Sequence, residues 1–241
     1  MNRFYITSKI EGDSLTINDN NQLHHIKDVL RLKVNDKVTV FDNTVNEYLC
    51  SVAELGNKQV ILGVRDKKPA KRTRTRLTVA CAIPKKAKMD EIIDKLTQLG
   101  VDIIIPLETE RVLVRMDTET KKARLKRWQK IAQSAAEQSQ RATVPLVEAI
   151  ETMKEVLVLS RNFNLKLIAT LSGERKYIRE VISEAKPGSI LILIGPEGDF
   201  TRGEVELATN AGFVPVSLGD YVLRVDTAAI SLVSYIKLSL G

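Results

Sequence analysis

The chain has few of the residues that build metal centres and disulfide frameworks. Its 241 residues include two cysteines and two histidines. Cys50 and Cys81 stand alone in the sequence, without paired spacing. His24 and His25 are adjacent, so their side chains point in different directions on most backbones. Neither a zinc site nor a disulfide framework is therefore expected, and we predict no metal.

Long apolar runs and phosphate-binding motifs are also missing. No stretch approaches the length of a bilayer span, and the N-terminal MNRFYITSKI lacks the apolar core of a signal peptide. The chain has no Gly-Lys-Ser/Thr phosphate loop, and no G-x-G-x-x-G follows its first α/β strand. We expect a cytoplasmic protein with no membrane partner. A metal-dependent nucleotide hydrolase is disfavoured, because its loops would need clustered Asp, Glu or His.

Positive charge is concentrated near the N-terminus. The formal net charge is +7, and residues 1–76 contribute +5 of it, with 14 basic and 9 acidic side chains. A basic end favours an anionic partner, of which RNA is the commonest for such a protein. A solvated basic surface would explain the same count. Charge alone leaves both explanations open.

The N-terminal third is rich in short predicted strands. KVTVF alternates, and EYLCSVAEL and KQVILGV are rich in β-forming residues, which is typical of a small barrel or sandwich. QLHHIKDVLRL between them predicts one short helix with Leu23, Ile26 and Val29 or Leu30 on one face. The stretch from Arg65 to Arg76 lacks apolar periodicity and predicts an exposed basic linker.

From Leu77 onward, buried strands alternate with amphipathic helices. LTVACAI, VDIIIPL, NLKLIATL, SILILIG and FVPVSLG are the strands, and KMDEIIDKLTQLG is a typical intervening helix. This alternation predicts an α/β layer structure with a mostly parallel sheet. We therefore expect a β-rich domain over 1–70, a basic linker over 71–76 and an α/β domain over 77–241.

The stretch LIGPEGDFTRGEVELA joins a buried strand to a well-specified helix start. Thr201 and Glu204 have the spacing of a capping box, flanked by the hydrophobic staple of Phe200 and Val205. In the preceding turn two glycines permit close backbone approach. Its carboxylates, Glu197 and the neighbouring aspartate, would repel a phosphate, so a neutral or cationic ligand such as a sulfonium nucleoside fits better. An ordinary strand-to-helix turn is the alternative.

A second stretch, SLGDYVLRVDTAAI, repeats the order of strand, glycine, irregular loop and helix start. Asp226 or Thr227 is a candidate cap for the last helix. Arg224 precedes a helix N-terminus that already carries partial positive charge. Its position suggests a bound anion or developing negative charge nearby. A salt bridge to Asp226 or Glu197 is the simpler alternative.

Together the two stretches resemble the C-terminal signatures of SPOUT-class RNA methyltransferases. The resemblance is to the bacterial RsmE-like family, which methylates N3 of a uridine in small-subunit (16S) ribosomal RNA. KMDEIIDKLTQLGVDIIIPLETERV, RWQKIAQSAAEQSQR and HHIKDVLRLKVNDKVTVFD also agree with the family, so the resemblance covers nearly the whole chain. The departures are mild: Asp199 and Gln140 replace usual glycines, Asp226 replaces a usual glutamate, and Leu96-Thr97-Gln98 replaces a usual Ala-Thr-Glu.

The resemblance implies a C-terminal domain with a trefoil knot, an N-terminal PUA-like RNA-binding barrel, S-adenosylmethionine as cofactor and a homodimer. It also implies three cofactor-binding loops, and the residues assigned to the cofactor are Thr170, Leu171, Leu193, Gly195, Glu197, Gly198, Leu218, Gly219, Val222, Leu223, Thr227 and Ala228. Small-subunit ribosomal RNA, naked or within the 30S subunit, is the implied partner.

Arg224 is the predicted catalytic residue. Uridine N3 must lose a proton before it attacks the methyl group, and a fixed cation would stabilise the charge that builds on the flanking carbonyl oxygens. Predicted RNA contacts are Arg3, His25, Lys27, Arg31, Lys67, Lys68, Arg72 and Arg141, with His25 or Tyr5 stacking on a base. A solvated surface residue is the alternative for each of them.

Two other functions fit parts of this pattern. One is a different methyltransferase of the same fold, acting on a ribose 2′-hydroxyl or on guanosine N1. The other is an RNA-binding ribosome-assembly factor without catalysis, which would not bind the cofactor.

Overall fold

The chain folds into two compact units. The computed structural model describes residues 2–7, 10, 12–43, 46–69, 74–85, 88–111, 116–183 and 187–240. Unit 1 comprises Met1–Arg72 and Ala136–Val144, and unit 2 comprises Thr73–Ala135 and Pro145–Gly241. The sequence did not indicate that the short segment 136–144 belongs with the N-terminal residues.

Unit 1 is built on one five-stranded sheet. Its strands are β1 (Asn2–Tyr5), β2 (Ser14–Ile17), β3 (Lys37–Phe41), β4 (Asn46–Leu55) and β5 (Val60–Pro69), in the spatial order β1-β3-β4-β5-β2. The pairing of β1 with β3 is parallel, and the other pairings are antiparallel. The strands enclose an apolar core that includes Phe4, Val40 and Leu62.

Two sequence predictions for unit 1 need correction. Residues 65–69, predicted as the start of the linker, are the end of β5 and pair with β4, for example Lys67 with Tyr48. The predicted helix is a short α1 (Asn20–His24) that continues as one π-helical turn over His25–Val29. Leu23 and Ile26 are buried as expected, and of the two alternatives for the next position Leu30 packs against the core whereas Val29 is exposed.

Unit 2 is an eight-stranded sheet with helices between its strands. The strands are β6 (Arg76–Ala82), β7 (Ile103–Glu108), β8 (Leu146–Val147), β9 (Glu151–Thr152), β10 (Leu165–Ala169), β11 (Lys176–Tyr177), β12 (Ser189–Ile194) and β13 (Val214–Ser217). The helices are α2 (Lys88–Gln98), α3 (Thr118–Gln138), α4 (Met153–Leu159), α5 (Ile178–Ser183), α6 (Arg202–Asn210) and α7 (Val225–Leu240). A short 3₁₀ turn, Ser160–Asn162, follows α4.

Every strand pairing described in this sheet is parallel, which confirms the predicted class. The order is β11-β13-β10-β12-β6-β7-β8, with β9 also paired to β7. Strands β10 and β12 are adjacent, and β10 is flanked on its other side by β13. Because parallel neighbours need a crossover connection, the chain crosses over between β10 and β12 and again between β12 and β13. A helix lies in each of these two crossovers.

Of the helix caps predicted for α6 and α7, the first is confirmed and the second is wrong. The capping box of α6 is present: the Thr201 hydroxyl accepts the Glu204 N–H at 3.2 Å, and the Glu204 carboxylate accepts the Thr201 N–H at 2.8 Å. The predicted caps of the last helix are wrong by two or three residues. Helix α7 begins at Val225, and the Arg224 carbonyl accepts the Ala228 N–H at 2.8 Å, so Arg224 itself is at the N-cap.

No helix in the described part of the chain is both long enough and apolar enough to cross a membrane.

Candidate functional site

The carboxyl ends of three neighbouring strands of unit 2 open into one cleft. Because β10, β12 and β13 are parallel and adjacent, the loops that follow them leave the sheet at the same edge. These are loop 170–172 after β10, the glycine turn 195–199 after β12 and loop 218–224 after β13. Together they line one open cleft, at the edge where ligands bind in parallel α/β sheets.

Most of the residues predicted for the cofactor lie around this cleft. Those that line it are Thr170, Leu171, Gly195, Glu197, Leu218, Gly219, Val222, Leu223 and Ala228. Three others do not line it. The Leu193 side chain is buried in the core between sheet and helices, Gly198 faces the Arg111 side chain, and Thr227 is exposed on α7.

Gly195 is required by a close approach inside the glycine turn. A Cβ on this residue would lie 3.0 Å from Cδ2 and 3.1 Å from Cε2 of Phe200. The Phe200 ring is buried in the core and anchors the start of α6, so it has little room to move. The turn is closed by the Asp199 N–H, which donates to the Pro196 carbonyl at 3.0 Å. The glycine therefore allows the turn to lie directly against the ring.

Sequence reasoning missed four polar or aromatic residues of the cleft. Arg175, Asp199, Ser217 and Tyr221 also line it. The Arg175 guanidinium donates to the Thr170 carbonyl at 3.3 Å, and Tyr221 is exposed. Arg175 lies just before the short strand β11, where no motif marked it. Asp199 was noted for its negative charge beside Glu197 and as a departure from glycine, but it was not assigned to the cofactor.

Two carboxylates lie near the end of β6. The exposed Glu197 accepts the Lys85 N–H at 3.1 Å, which ties the glycine turn to the residues after β6. Burial, and then the negative charges of Glu197 and Asp226, raise the pKa of the Cys81 thiol to about 12. Cys81 therefore stays protonated at neutral pH and does not act as a nucleophile.

Arg224 lies between two cleft-lining residues, Leu223 and Val225, with an exposed side chain. Within the described residues it forms no ion pair, so neither of the salt bridges considered for it is present. Asp226 instead pairs with Lys88 at 3.4 Å. Burial opposes ionisation of Asp226, but the Thr227 N–H and the Lys88 ammonium outweigh it and lower the pKa of this carboxyl. A cation is thus left exposed beside the cleft.

The predicted RNA contacts of unit 1 divide into two groups. Arg3 and Lys27 are engaged inside the unit: Arg3 pairs with Glu47 at 2.6 Å and donates to the Arg141 carbonyl, and Lys27 donates to the Gly56 and Asn57 carbonyls. Their charged ends therefore already have partners within unit 1, and their assignment as phosphate contacts stays a prediction. The side chains of His25, Arg31, Lys67 and Lys68 are exposed, Arg141 is half-buried, and Arg72 lies outside the described residues.

Among the residues that the structure describes, no group of three or more His, Cys, Asp or Glu side chains could hold a metal ion. The site as described thus offers glycine turns, apolar side chains, the carboxylates of Glu197 and Asp199, and two cations, Arg175 in the lining and Arg224 beside it.

Comparison with known proteins covers both units. An RNA methyltransferase domain model matches residues 71–237, and an RNA methyltransferase PUA domain model matches residues 17–65. Proteins named ribosomal RNA small subunit methyltransferase E are similar over most of the chain. The one from Rickettsia conorii is 34% identical over 98% of this chain and 95% of its own length, and the one from Bacillus subtilis is 31% identical over 89% and 87%.

A solved structure agrees with these sequence matches. The ribosomal RNA small subunit methyltransferase E of Neisseria gonorrhoeae, crystallised with S-adenosylmethionine, superposes with a TM-score of 0.89 at 30% identity, over 99% of this chain and 97% of that one. The PUA match confirms the predicted class of the N-terminal unit, and the structural match confirms the α/β class of the C-terminal unit.

Proposed function

The chain belongs to the ribosomal RNA small subunit methyltransferase E family, and from this premise we propose that it methylates N3 of a uridine in 16S ribosomal RNA. Methylation of ribosomal RNA with S-adenosylmethionine is the activity that the family carries. The observation that supports it most directly is the cleft itself, where three loops chosen from sequence signatures meet at one sheet edge.

The composition of the cleft fits S-adenosylmethionine. Glycine turns let backbone N–H and C=O groups approach an adenine edge, and the side chains of Leu218, Val222 and Leu223 are placed to cover its faces. The carboxylates of Glu197 and Asp199 favour a cationic ligand over a phosphate. Arg175, on the same wall, has the charge to receive a carboxylate. When bound, this cofactor supplies an electrophilic methyl group on a sulfonium.

Arg224 is the residue we assign to the reacting base. Its guanidinium is always protonated, so it does not remove the N3 proton; it stabilises the negative charge that develops on the uracil carbonyl oxygens. Two observations support this role: the side chain is exposed beside the cleft, and it has no acidic partner among the described residues. A cation already neutralised by a carboxylate could not do this.

Unit 1 is the part we assign to RNA binding. Exposed Arg31, Lys67 and Lys68 offer charge to phosphates, and the exposed His25 ring, packed edge-on against Phe4, offers a flat face to a base. Arg141 belongs to the segment 136–144 that packs within the same unit. We assign it to the RNA surface for that reason.

Three further properties follow from the family and are part of the proposal: a trefoil knot in unit 2, a homodimer and a cytoplasmic location beside the ribosome. Light scattering of the purified protein tests the dimer.

The modified nucleotide is tested directly by mass spectrometry of 16S ribosomal RNA from a strain that lacks the gene. Loss of one 3-methyluridine, restored by the intact gene, is the expected result. Loss of a 2′-O-methyl nucleotide or of 1-methylguanosine would assign the chain to a different methyltransferase class. An unchanged modification pattern, together with no binding of S-adenosylmethionine by calorimetry, would favour the non-catalytic assembly factor.

A further inference from the structure

The carboxylate of Asp199 joins two of the three loops of the cleft. One oxygen, Oδ2, accepts hydrogen bonds from the Thr170 hydroxyl at 2.9 Å, the Leu171 N–H at 2.9 Å and the Ser172 hydroxyl at 3.3 Å. All three donors belong to loop 170–172, whereas Asp199 ends the glycine turn. A single side chain therefore fixes the distance between the two walls.

The backbone of Asp199 is itself held in place. Its φ is +60°, in the left-handed region that few side chains adopt. Its N–H donates to the Pro196 carbonyl, and the Arg111 guanidinium donates to the Gly198 carbonyl and, at 3.4 Å, to the Asp199 carbonyl. The carboxylate thus projects from a turn that is bound on both sides, and so it serves as a fixed acceptor.

Loop 170–172 depends on this acceptor. Thr170 is 5% exposed, and its hydroxyl oxygen also accepts the Ser172 N–H at 3.1 Å. Leu171 is 49% exposed, so its side chain contributes little packing to hold the loop. Without Asp199, the Leu171 N–H would lose its partner and the loop would have to be ordered by the ligand. Ordering of this kind lowers affinity, because backbone freedom is lost on binding.

We propose that Asp199 is a positioning residue that builds the 170–172 wall of the cofactor cleft before the cofactor binds. The inference rests on the proposed cofactor binding and adds to it a residue that the sequence signatures do not assign. It acts through loop 170–172 and not through the sulfonium charge. The affinity for S-adenosylmethionine and for the product S-adenosylhomocysteine, which lacks the sulfonium charge, should therefore depend on Asp199 to the same degree.

Three variants of the full-length protein test the proposal by calorimetry with both ligands. Asp199→Gly keeps a residue that tolerates φ +60° and removes the acceptor. We expect it to weaken both ligands by the same factor, about tenfold or more, since hydrogen bonds to a charged group are lost. Asp199→Asn keeps an acceptor and also tolerates the backbone, so we expect it to stay within a few-fold of wild type. Glu206→Gln, which changes an exposed carboxylate of α6 that does not line the cleft, is the charge control and should bind normally.

A kinetic measurement separates positioning from general damage. With 30S subunits as substrate, Asp199→Gly should raise the KM for S-adenosylmethionine while kcat at saturating cofactor stays near wild type. In a double-mutant cycle, Thr170→Val should cost affinity in the wild-type background and much less in Asp199→Gly, because the hydroxyl has then already lost its acceptor.

Three outcomes would overturn the inference. They are unchanged affinity in Asp199→Gly, a loss confined to S-adenosylmethionine with S-adenosylhomocysteine unaffected, and additive effects of Asp199 and Thr170. If Asp199→Gly does not fold, Asp199→Asn decides the same question: an equal few-fold loss for the two ligands supports positioning, and a loss confined to S-adenosylmethionine overturns it. Failure of the wild-type protein to bind either ligand would refute the proposed cofactor itself and is thus distinguishable.

Discussion

Replacing Gly195 with alanine should damage both stability and cofactor binding. The added methyl group would meet the Phe200 ring at 3.0 and 3.1 Å and the Phe200 backbone nitrogen at 3.3 Å. Phe200 is 1% exposed and packs in a buried apolar cluster of unit 2, so relief must come from the glycine turn. Overpacking of this kind costs about 1–3 kcal/mol. The displaced turn also lines the cleft, so affinity should fall with stability.

Urea denaturation and calorimetry with S-adenosylmethionine measure the two effects. Gly203→Ala is the matched control, because a Cβ at Gly203 meets nothing within 4 Å and the residue lies in α6. We expect this control to gain about 0.5–1 kcal/mol, since alanine favours helix over glycine, with unchanged affinity.

Repeating the Gly195→Ala substitution in a Phe200→Leu variant tests whether the Phe200 ring causes the destabilisation. Phe200→Leu is destabilising alone, but it frees space beside residue 195, so Gly195→Ala should cost less in that background. The steric reasoning is wrong if Gly195→Ala matches wild type in both measurements. It is also wrong if the cost is the same with leucine at position 200.

Three other predictions follow from the site. Arg224→Ala should lose most methyl transfer to 30S subunits while calorimetry shows intact cofactor affinity; near wild-type turnover would remove Arg224 from the mechanism. Cys81 should resist iodoacetamide at pH 8 in the folded protein and react once urea unfolds it, because burial raises its pKa to about 12; rapid alkylation of folded protein would contradict this. Asp226→Asn should destabilise the protein most at neutral pH. Because the pKa of Asp226 is lowered from 3.8 in the folded state, its stabilisation is fully present above 3.8 and is lost as the pH falls through the lowered pKa, so the urea midpoints of variant and wild type should converge as the pH falls below 3.8.

Structural features that depend on residues close together in the chain could be predicted from the sequence. The capping box of Thr201 and Glu204 was predicted from a spacing of three residues and is present with both hydrogen bonds. The alternation of apolar strands and amphipathic helices gave the parallel α/β class. The signature loops were located because strand, glycine and helix start follow one another directly in the chain.

Exact element ends were harder to predict, since several backbone conformations satisfy the same pattern. Asp226 was a reasonable cap for α7, yet the N-cap lies two residues earlier, at Arg224, and Asp226 pairs with Lys88, far away in the sequence. Residues 65–69 lack apolar periodicity but continue β5, because β4 supplies their hydrogen-bonding partners. Charge patterning alone could not reveal that partner.

The two residues that replace usual family glycines show the same difference between what the sequence indicates and what the structure shows. Asp199 and Gln140 both adopt φ +60°, which explains why glycine is common at such positions. The sequence indicated that these two residues were unusual. Only the fold shows that the Asp199 carboxylate accepts three hydrogen bonds from loop 170–172, because no local pattern links residues this far apart.

By itself the sequence determined the class of each unit, the family and the identity of the loops, since these depend on local spacing and composition. The tertiary structure decided which loops meet. Strand β10 lies between β12 and β13, and that order, fixed by crossover connections and long-range pairing, brings the three loops to one cleft. It also decided which charges remain available: Arg3 is used by Glu47, whereas Arg224 is left exposed. Such partners are set by packing between distant segments, which no short stretch of sequence encodes.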